Sequence, residues 1–332
     1  MKLGGDELVS AELAAGATVG PFSLGRQIGS DAHSNTWLAT YSDGQARQLV
    51  ALRLPFISLD PERFARRIVQ QRDLLVALRH PGIARFYDAG IASNGQPYVA
   101  MQHVEGTPLI ALCDRLRLGI RERLELFQQV LGVLQYAHSM LAIHRDLQPF
   151  NILLGDDHTI LVRDFGVAAL LSDDVAGETE SATAPGGRGV SFNYASPEGV
   201  AGKPLGTGCD LYSAGMVLCE LLTGAVPYHL KRQSRRGIAE EILNLDPAIP
   251  SLLVTEEAAA LRATSAKLLT RQLRGDLDTI ILKSLHKRPE GRYLTAEAMS
   301  QELRRYCRGE SIRARNPGPW VRALRFLGRA LG

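Results

Sequence analysis

The chain has 332 residues, 45% of them hydrophobic and 22% charged, which is the balance of a globular protein with a sizeable core. Its formal net charge of +3 argues against a nucleic-acid polycation, and no apolar run reaches the length of about 18 residues that a membrane-spanning helix needs. Cys113, Cys209, Cys219 and Cys307 are widely spaced and form no CxxC pair, which argues against a disulfide or zinc framework and fits a cytoplasmic setting. The opening MKLGGDELVSAELAAGATVG carries Asp and Glu and no signal-peptide core, so residues 1–20 read as a flexible lead-in. Period-two alternation and turn signals then predict strands at 22–28, 35–41 and 47–54, with the turn SDGQ at 42–45. Phe64, Ile68, Leu75 and Leu78 recur at helical spacing after Pro61 and predict a helix over 61–79. IARFYDAGI (83–91) and PYVAMQHV (97–104) read as two more strands. From about residue 107 the pattern turns helical, with a long amphipathic helix at 121–140. The segment 211–224 is apolar nearly all round and predicts a central buried helix. Residues 172–191 are rich in Gly, Ser and Thr and read as a mobile loop. A small strand-rich half before a larger helix-rich half is an α+β, two-lobed plan without internal repeats.

Three motifs follow one another in the second half: HRDLQPFN at 144–151, DFG at 164–166 and SPE at 196–198, with an apolar helix beginning at Asp210 in DLYSAG. The set resembles the protein-kinase signatures H-R-D-x-x-x-x-N, D-F-G and A-P-E, and is closest to bacterial serine/threonine kinases. The resemblance covers roughly residues 22–308, including the late stretch GDLDTIILKSLHKRPEGRYLTAEAMSQELRRY. It implies a kinase-like domain over 21–308, with a small lobe at 21–104, a large lobe at 105–308 and a basic tail at 309–332. It also implies ATP and Mg²⁺ as cofactors and a protein substrate or signalling partner. Asp146 is then the group that orients the substrate hydroxyl and accepts its proton. Asn151 and Asp164 are the metal ligands, because their oxygens are the hard donors Mg²⁺ prefers. Arg145 is a candidate phosphate anchor for Thr179, Ser181, Thr183 or Ser191 of the loop. Arg292 is expected to pair with Glu198.

The resemblance also shows where this chain departs from its pattern. QIGSDAHSNTWLA (27–39) aligns with the glycine-rich phosphate loop, but only Gly29 survives. Asp31 and Ser34 stand at the next two glycine positions and Thr36 replaces Val. Arg53 stands where the phosphate-pairing Lys is expected, and Gln71 where its Glu partner is expected. No Lys lies between residues 3 and 202 to take over the role. Gln148 replaces the Lys that would neutralise the transferred phosphoryl group, Phe150 replaces a small residue, and Ser191 and Phe192 depart from the usual Thr and Pro. The packing positions look ordinary. Ala51, Leu153 and Thr36 would wall the adenine, Met101 would be the gatekeeper, and Gln102, His103 and Val104 the hinge. Phe86, Leu75, Phe165 and His144 would form an apolar stack.

Two functions follow from the departures: a pseudokinase that transfers phosphate weakly or not at all, or an active kinase with Arg53 in an atypical clamp. A small-molecule phosphotransferase is disfavoured by SPE. In the tail, Trp320, Leu324, Leu327 and Leu331 fall on one helical arc opposite Arg322, Arg325 and Arg329. That arc suits peripheral contact with an anionic membrane, or packing on protein.

Overall fold

The alternating apolar residues of the first hundred positions fold into an antiparallel sheet. The computed structural model describes residues 14–30, 34–42, 47–56, 61–155, 159–171, 192–228 and 235–315. The calls on Asp31, on the loop hydroxyls Thr179, Ser181, Thr183 and Ser191, and on the tail arc from Trp320 lie outside the described residues. Contacts divide the chain into two compact units.

The first unit holds strands β1 (Thr18–Val19), β2 (Phe22–Ser30), β3 (Ser34–Ser42), β4 (Arg47–Pro55), β5 (Phe86–Ile91) and β6 (Pro97–Gln102). Their order is β1-β2-β3-β4-β6-β5, and every neighbouring pair is antiparallel. Side chains two apart share a face. Val50, Leu52 and Leu54 of β4 therefore join Trp37, Ala39, Phe22, Leu24, Tyr98 and Ala100 in one core. The intervening residues lie on the opposite face, where Thr36 pairs with Arg53, and Ala51 pairs with both Leu38 and Met101. The flexible lead-in predicted through residue 20 ends earlier. Thr18–Val19 pair with Ser23 and Phe22, because Val19 has a place in the core and is fully buried. Helix α1 (Pro61–Ala77) gives its first part, through Arg72, to this unit.

The second unit is helical apart from a small sheet of β7 (Thr107–Pro108), β8 (Ile152–Leu154) and β9 (Ile160–Val162). Its helices are α2 (Leu109–Arg115), α3 (Ile120–Ser139), α4 (Val167–Leu171), α5 (Pro197–Val200), α6 (Thr207–Thr223) and α7 (Arg235–Asn244). They continue with α8 (Glu256–Ala260), α9 (Ala266–Leu273), α10 (Asp276–Ser284) and α11 (Ala296–Cys307). As its all-round apolar pattern predicts, α6 is central: Leu211, Met216, Val217, Leu218, Leu221 and Leu222 are all fully buried. Helices α3 and α10 pack against it, and α11 packs on α3. Each such buried side chain contributes about 1.5–3 kcal/mol through the hydrophobic effect.

Helix α6 ends at Gly224, whose left-handed φ of 80° closes the helix where a side chain would be strained. Its last carbonyls are buried and need donors. Two buried arginines supply them. Arg262 reaches the oxygens of Glu220, Leu221 and Leu222, and Arg123 reaches that of Leu221. The helix begins three residues before Asp210, and the strand predicted from Ile83 begins only at Phe86. Ile83 instead forms a parallel bridge with Val162. Among the described residues no helix is long and apolar enough to cross a membrane.

Candidate active site

The HRD segment is held by a single buried carboxylate. Asp210, fully buried on α6, accepts from the backbone N–H of His144 at 2.8 Å and of Arg145 at 2.9 Å, and from His138 Nε2 at 2.8 Å. Arg145 needs this support, because its φ of 70° is a conformation that side-chain-bearing residues rarely adopt. Burial pushes the Asp210 carboxyl up, but the hydrogen bond and charge of His138 and the His144 contacts outweigh it and hold the group below the usual carboxylate range. A lowered folded-state pKa contributes stability that is present above about pH 4, the unfolded value. That contribution is lost as pH falls through the lowered pKa. Acid unfolding followed by circular dichroism should therefore show a shallower acid limb in Asp210→Asn than in the wild type.

His144 links this clamp to the DFG segment. Its Nε2 donates to the Arg163 carbonyl at 3.0 Å, its Nδ1 accepts from the Asp146 N–H at 3.3 Å, and its ring lies 4.6 Å from that of Phe165. These contacts join two members of the expected stack within this unit. Leu75 abuts Gly166, where an added Cβ would lie 2.6 Å from Leu75 Cδ2 at a φ of 66°. Only glycine fits there.

Asn151 and Gln148 gather around Asp146. Asn151 is buried. Its Nδ2 donates to the Asp146 carbonyl at 2.9 Å and to Oδ2 at 3.3 Å. Gln148 Nε2 lies 3.0 Å from both carboxylate oxygens of Asp146. The side chain standing in for the phosphoryl-neutralising Lys is thus a neutral donor turned onto Asp146 itself. Asp164, half-buried with φ 65°, follows Arg163.

Arg163 is a residue that the sequence reading missed. Its Nε lies 3.4 Å from Asn151 Oδ1 and 3.8 Å from Asp164 Oδ2, so a cation abuts both expected metal ligands. Its guanidinium lies over the Phe150 ring, 4.2 Å from the centroid. Phe150, noted only as replacing a small residue, is the platform. Asn151 and Asp164 still offer the hard oxygens that suit Mg²⁺, which kinases hold with few protein ligands and substrate phosphates.

In the first unit, Thr36, Ala51, Arg53 and Met101 lie on the face away from the core. The first three are half-buried and Met101 is buried. Arg53 Nε donates to Ser34 Oγ at 2.6 Å. Ser34 is fully buried. Two departures from the kinase pattern, the third glycine and the lysine, therefore contact each other. Gly29 pairs with Thr36 across β2 and β3. His103 is half-buried beyond β6, and Leu153 is buried on β8 of the second unit.

The fold-retaining pair predicted from the resemblance is present. Arg292 donates to both oxygens of Glu198, at 2.6 and 2.7 Å, with its side chain wholly buried. A family profile described as protein kinase domain matches residues 22–303.

The chain belongs to the protein kinase family.

Among the relatives of this kinase-family chain is the serine/threonine-protein kinase PknB of Mycobacterium tuberculosis (strain ATCC 25618 / H37Rv). It is 31% identical over 295 residues, covering 87% of this chain and 43% of that protein. Another is the serine/threonine-protein kinase PrkC of Bacillus subtilis (strain 168), 30% identical over 287 residues, or 86% and 40% of the respective chains. The chain therefore spans less than half the length of these curated relatives. Among solved structures, the Mycobacterium tuberculosis PknI kinase domain matches with a TM-score of 0.62 and 23% identity, covering 89% of this chain and 99% of that one. The kinase fold, a β-rich unit and a helical unit in one α+β chain, is thus common to both.

Proposed function

We propose that the chain is a serine/threonine-kinase-family signalling module with strongly attenuated phosphotransfer, a pseudokinase in practice, that acts through protein partners. The observation that carries this is Gln148. In phosphoryl transfer the protein contributes chiefly positioning and charge neutralisation. Asp146 is positioned by Asn151, yet the side chain beside it is a neutral amide at 3.0 Å from both its oxygens. A neutral donor cannot replace the charge that an ammonium brings to a developing phosphoryl anion. Arg53, bonded to Ser34, retains a charge in the first unit but not the compact ammonium of a Lys. In this reading Asn151 and Asp164 would hold Mg²⁺, whose chemistry is to neutralise the polyphosphate, and Thr36, Ala51, Met101 and His103 of the first unit would contact the nucleotide base.

A second reading, an active serine/threonine kinase with an atypical clamp, is favoured by one observation. The Asp210 clamp and the Asp146–Asn151 bonds leave the catalytic loop fully assembled. Intact-mass measurement of purified protein after incubation with MgATP separates the readings. Under the pseudokinase reading the wild type gains phosphate at least about 10²-fold more slowly than a working protein kinase, little above Asp146→Asn. Rapid, stoichiometric phosphate on the wild type that is absent from Asp146→Asn supports the active one.

A further inference from the structure

Arg163 is anchored at both ends of its peptide frame. Its N–H donates to the Asn151 carbonyl at 3.0 Å, and its own carbonyl accepts from His144 Nε2 at 3.0 Å. The side chain therefore leaves from a fixed point. It runs over the Phe150 ring, 4.2 Å from the centroid, and sets Nε 3.4 Å from Asn151 Oδ1 and 3.8 Å from Asp164 Oδ2. It is 29% exposed, against 16% for the Asp164 side chain, so solvent screens the charges incompletely.

A guanidinium is permanently charged and holds its donors in a rigid plane. A divalent ion approaching the same two oxygens meets that charge in a partly buried setting, where like-charge repulsion is strong. The same guanidinium already supplies part of the positive charge that a metal would bring.

We propose that Arg163, supported by Phe150, is a built-in counter-cation for Asn151 and Asp164 that lowers their affinity for divalent metal and makes nucleotide binding by this chain only weakly metal-dependent. This rests on the reading of Asn151 and Asp164 as part of a nucleotide site. It narrows the expectation, drawn from the resemblance, that ATP and Mg²⁺ serve together as cofactors. It also gives Phe150 a purpose, since its ring carries the guanidinium at 4.2 Å.

Two measurements on the full chain test it: a Mn²⁺ titration by electron paramagnetic resonance without nucleotide, and the anisotropy of a fluorescent ATP analogue in EDTA and in Mg²⁺. Arg163→Met is expected to bind Mn²⁺ about tenfold or more tightly than the wild type, in the range that outer-shell partners of metal ligands command. Its nucleotide affinity should fall in EDTA and recover in Mg²⁺, while the wild type changes little between the two. Arg163→Lys, which keeps the charge, should behave as the wild type, whereas a merely structural role would not be rescued by charge. Unchanged or weaker Mn²⁺ binding in Arg163→Met overturns the proposal, as does wild-type nucleotide binding that collapses in EDTA. If no form binds nucleotide, the nucleotide reading of the site fails, and the Mn²⁺ comparison still decides the role of Arg163.

Discussion

Restoring the missing charges together, Arg53→Lys with Gln71→Glu and Gln148→Lys, is expected to raise phosphotransfer by about 10²–10³-fold, the scale of one regained transition-state contact. Most of the gain should come from Gln148→Lys. The amide it replaces is already aimed at both oxygens of Asp146, so an ammonium placed there meets the reacting centre without any movement of the loop. The loop itself needs no repair. Asp210 holds the His144 and Arg145 backbone, and Asn151 holds Asp146. Arg53→Lys and Gln71→Glu act together, because an ion pair needs both partners. Alone, Arg53→Lys only exchanges one partner of Ser34 for another. Steady-state assays with labelled ATP and a generic protein substrate measure the effect. A triple variant that binds ATP at least as well as the wild type but transfers no faster would show that charge is not what limits this chain.

Replacing Arg292 by Met is expected to destabilise the helical unit by about 3–5 kcal/mol, because it leaves a buried carboxylate uncompensated. Arg292 is saturated with acceptors. Beyond the two Glu198 oxygens it donates to the carbonyls of Gly208, His286 and Lys287, and it lies over the Tyr212 ring at 5.0 Å. It thus ties α5, which carries the SPE motif, to α6 and to the turn before α11. Burial pushes the Glu198 carboxyl up, but Arg292 outweighs it and holds the group below the usual range. Chemical denaturation followed by circular dichroism gives the loss directly. The double variant Arg292→Met with Glu198→Met should recover much of it, since a buried ion pair exchanged for apolar groups of similar size is often neutral. A single-variant loss under about 1 kcal/mol would mean that Glu198 finds water or another donor, contrary to its burial.

The sequence revealed the fold chiefly where periodicity and motif agree. The apolar stretch after Asp210 announced a central helix, and α6 is one. The alternation in RQLVALRL announced a strand, and β4 runs over Arg47–Pro55. The Glu198–Arg292 pair followed from resemblance and is present at 2.6 Å. Contacts that depend on the third dimension were less legible. Asp210 reads as the start of a helix, and only folding brings it under His144 and Arg145, 66 and 65 positions earlier. Ser34 looked like a lost glycine, and its bond to Arg53 arises because β3 and β4 pair in register. Arg163 and Phe150 are 13 positions apart in sequence and share no pattern. What joins them is the pairing of β8 with β9, where Ile152 faces Val162, so that Arg163, just after β9, meets Asn151, just before β8, and reaches Phe150 next to it. The one available signal was a cation immediately before DFG together with an aromatic immediately before the loop Asn. Val19 was missed for a simpler reason: two residues are too short a strand to show periodicity.

Attenuated phosphotransfer is the proposed consequence of an assembled Asp146 loop that lacks a neighbouring ammonium. It is tested most directly by kcat for purified wild-type protein with labelled ATP, saturating Mg²⁺ and a generic serine/threonine substrate, with Asp146→Asn as the background. A wild-type rate at least about 10²-fold below the roughly 1–100 s⁻¹ of working protein kinases is expected. A wild-type kcat inside that range, abolished by Asp146→Asn, would contradict it.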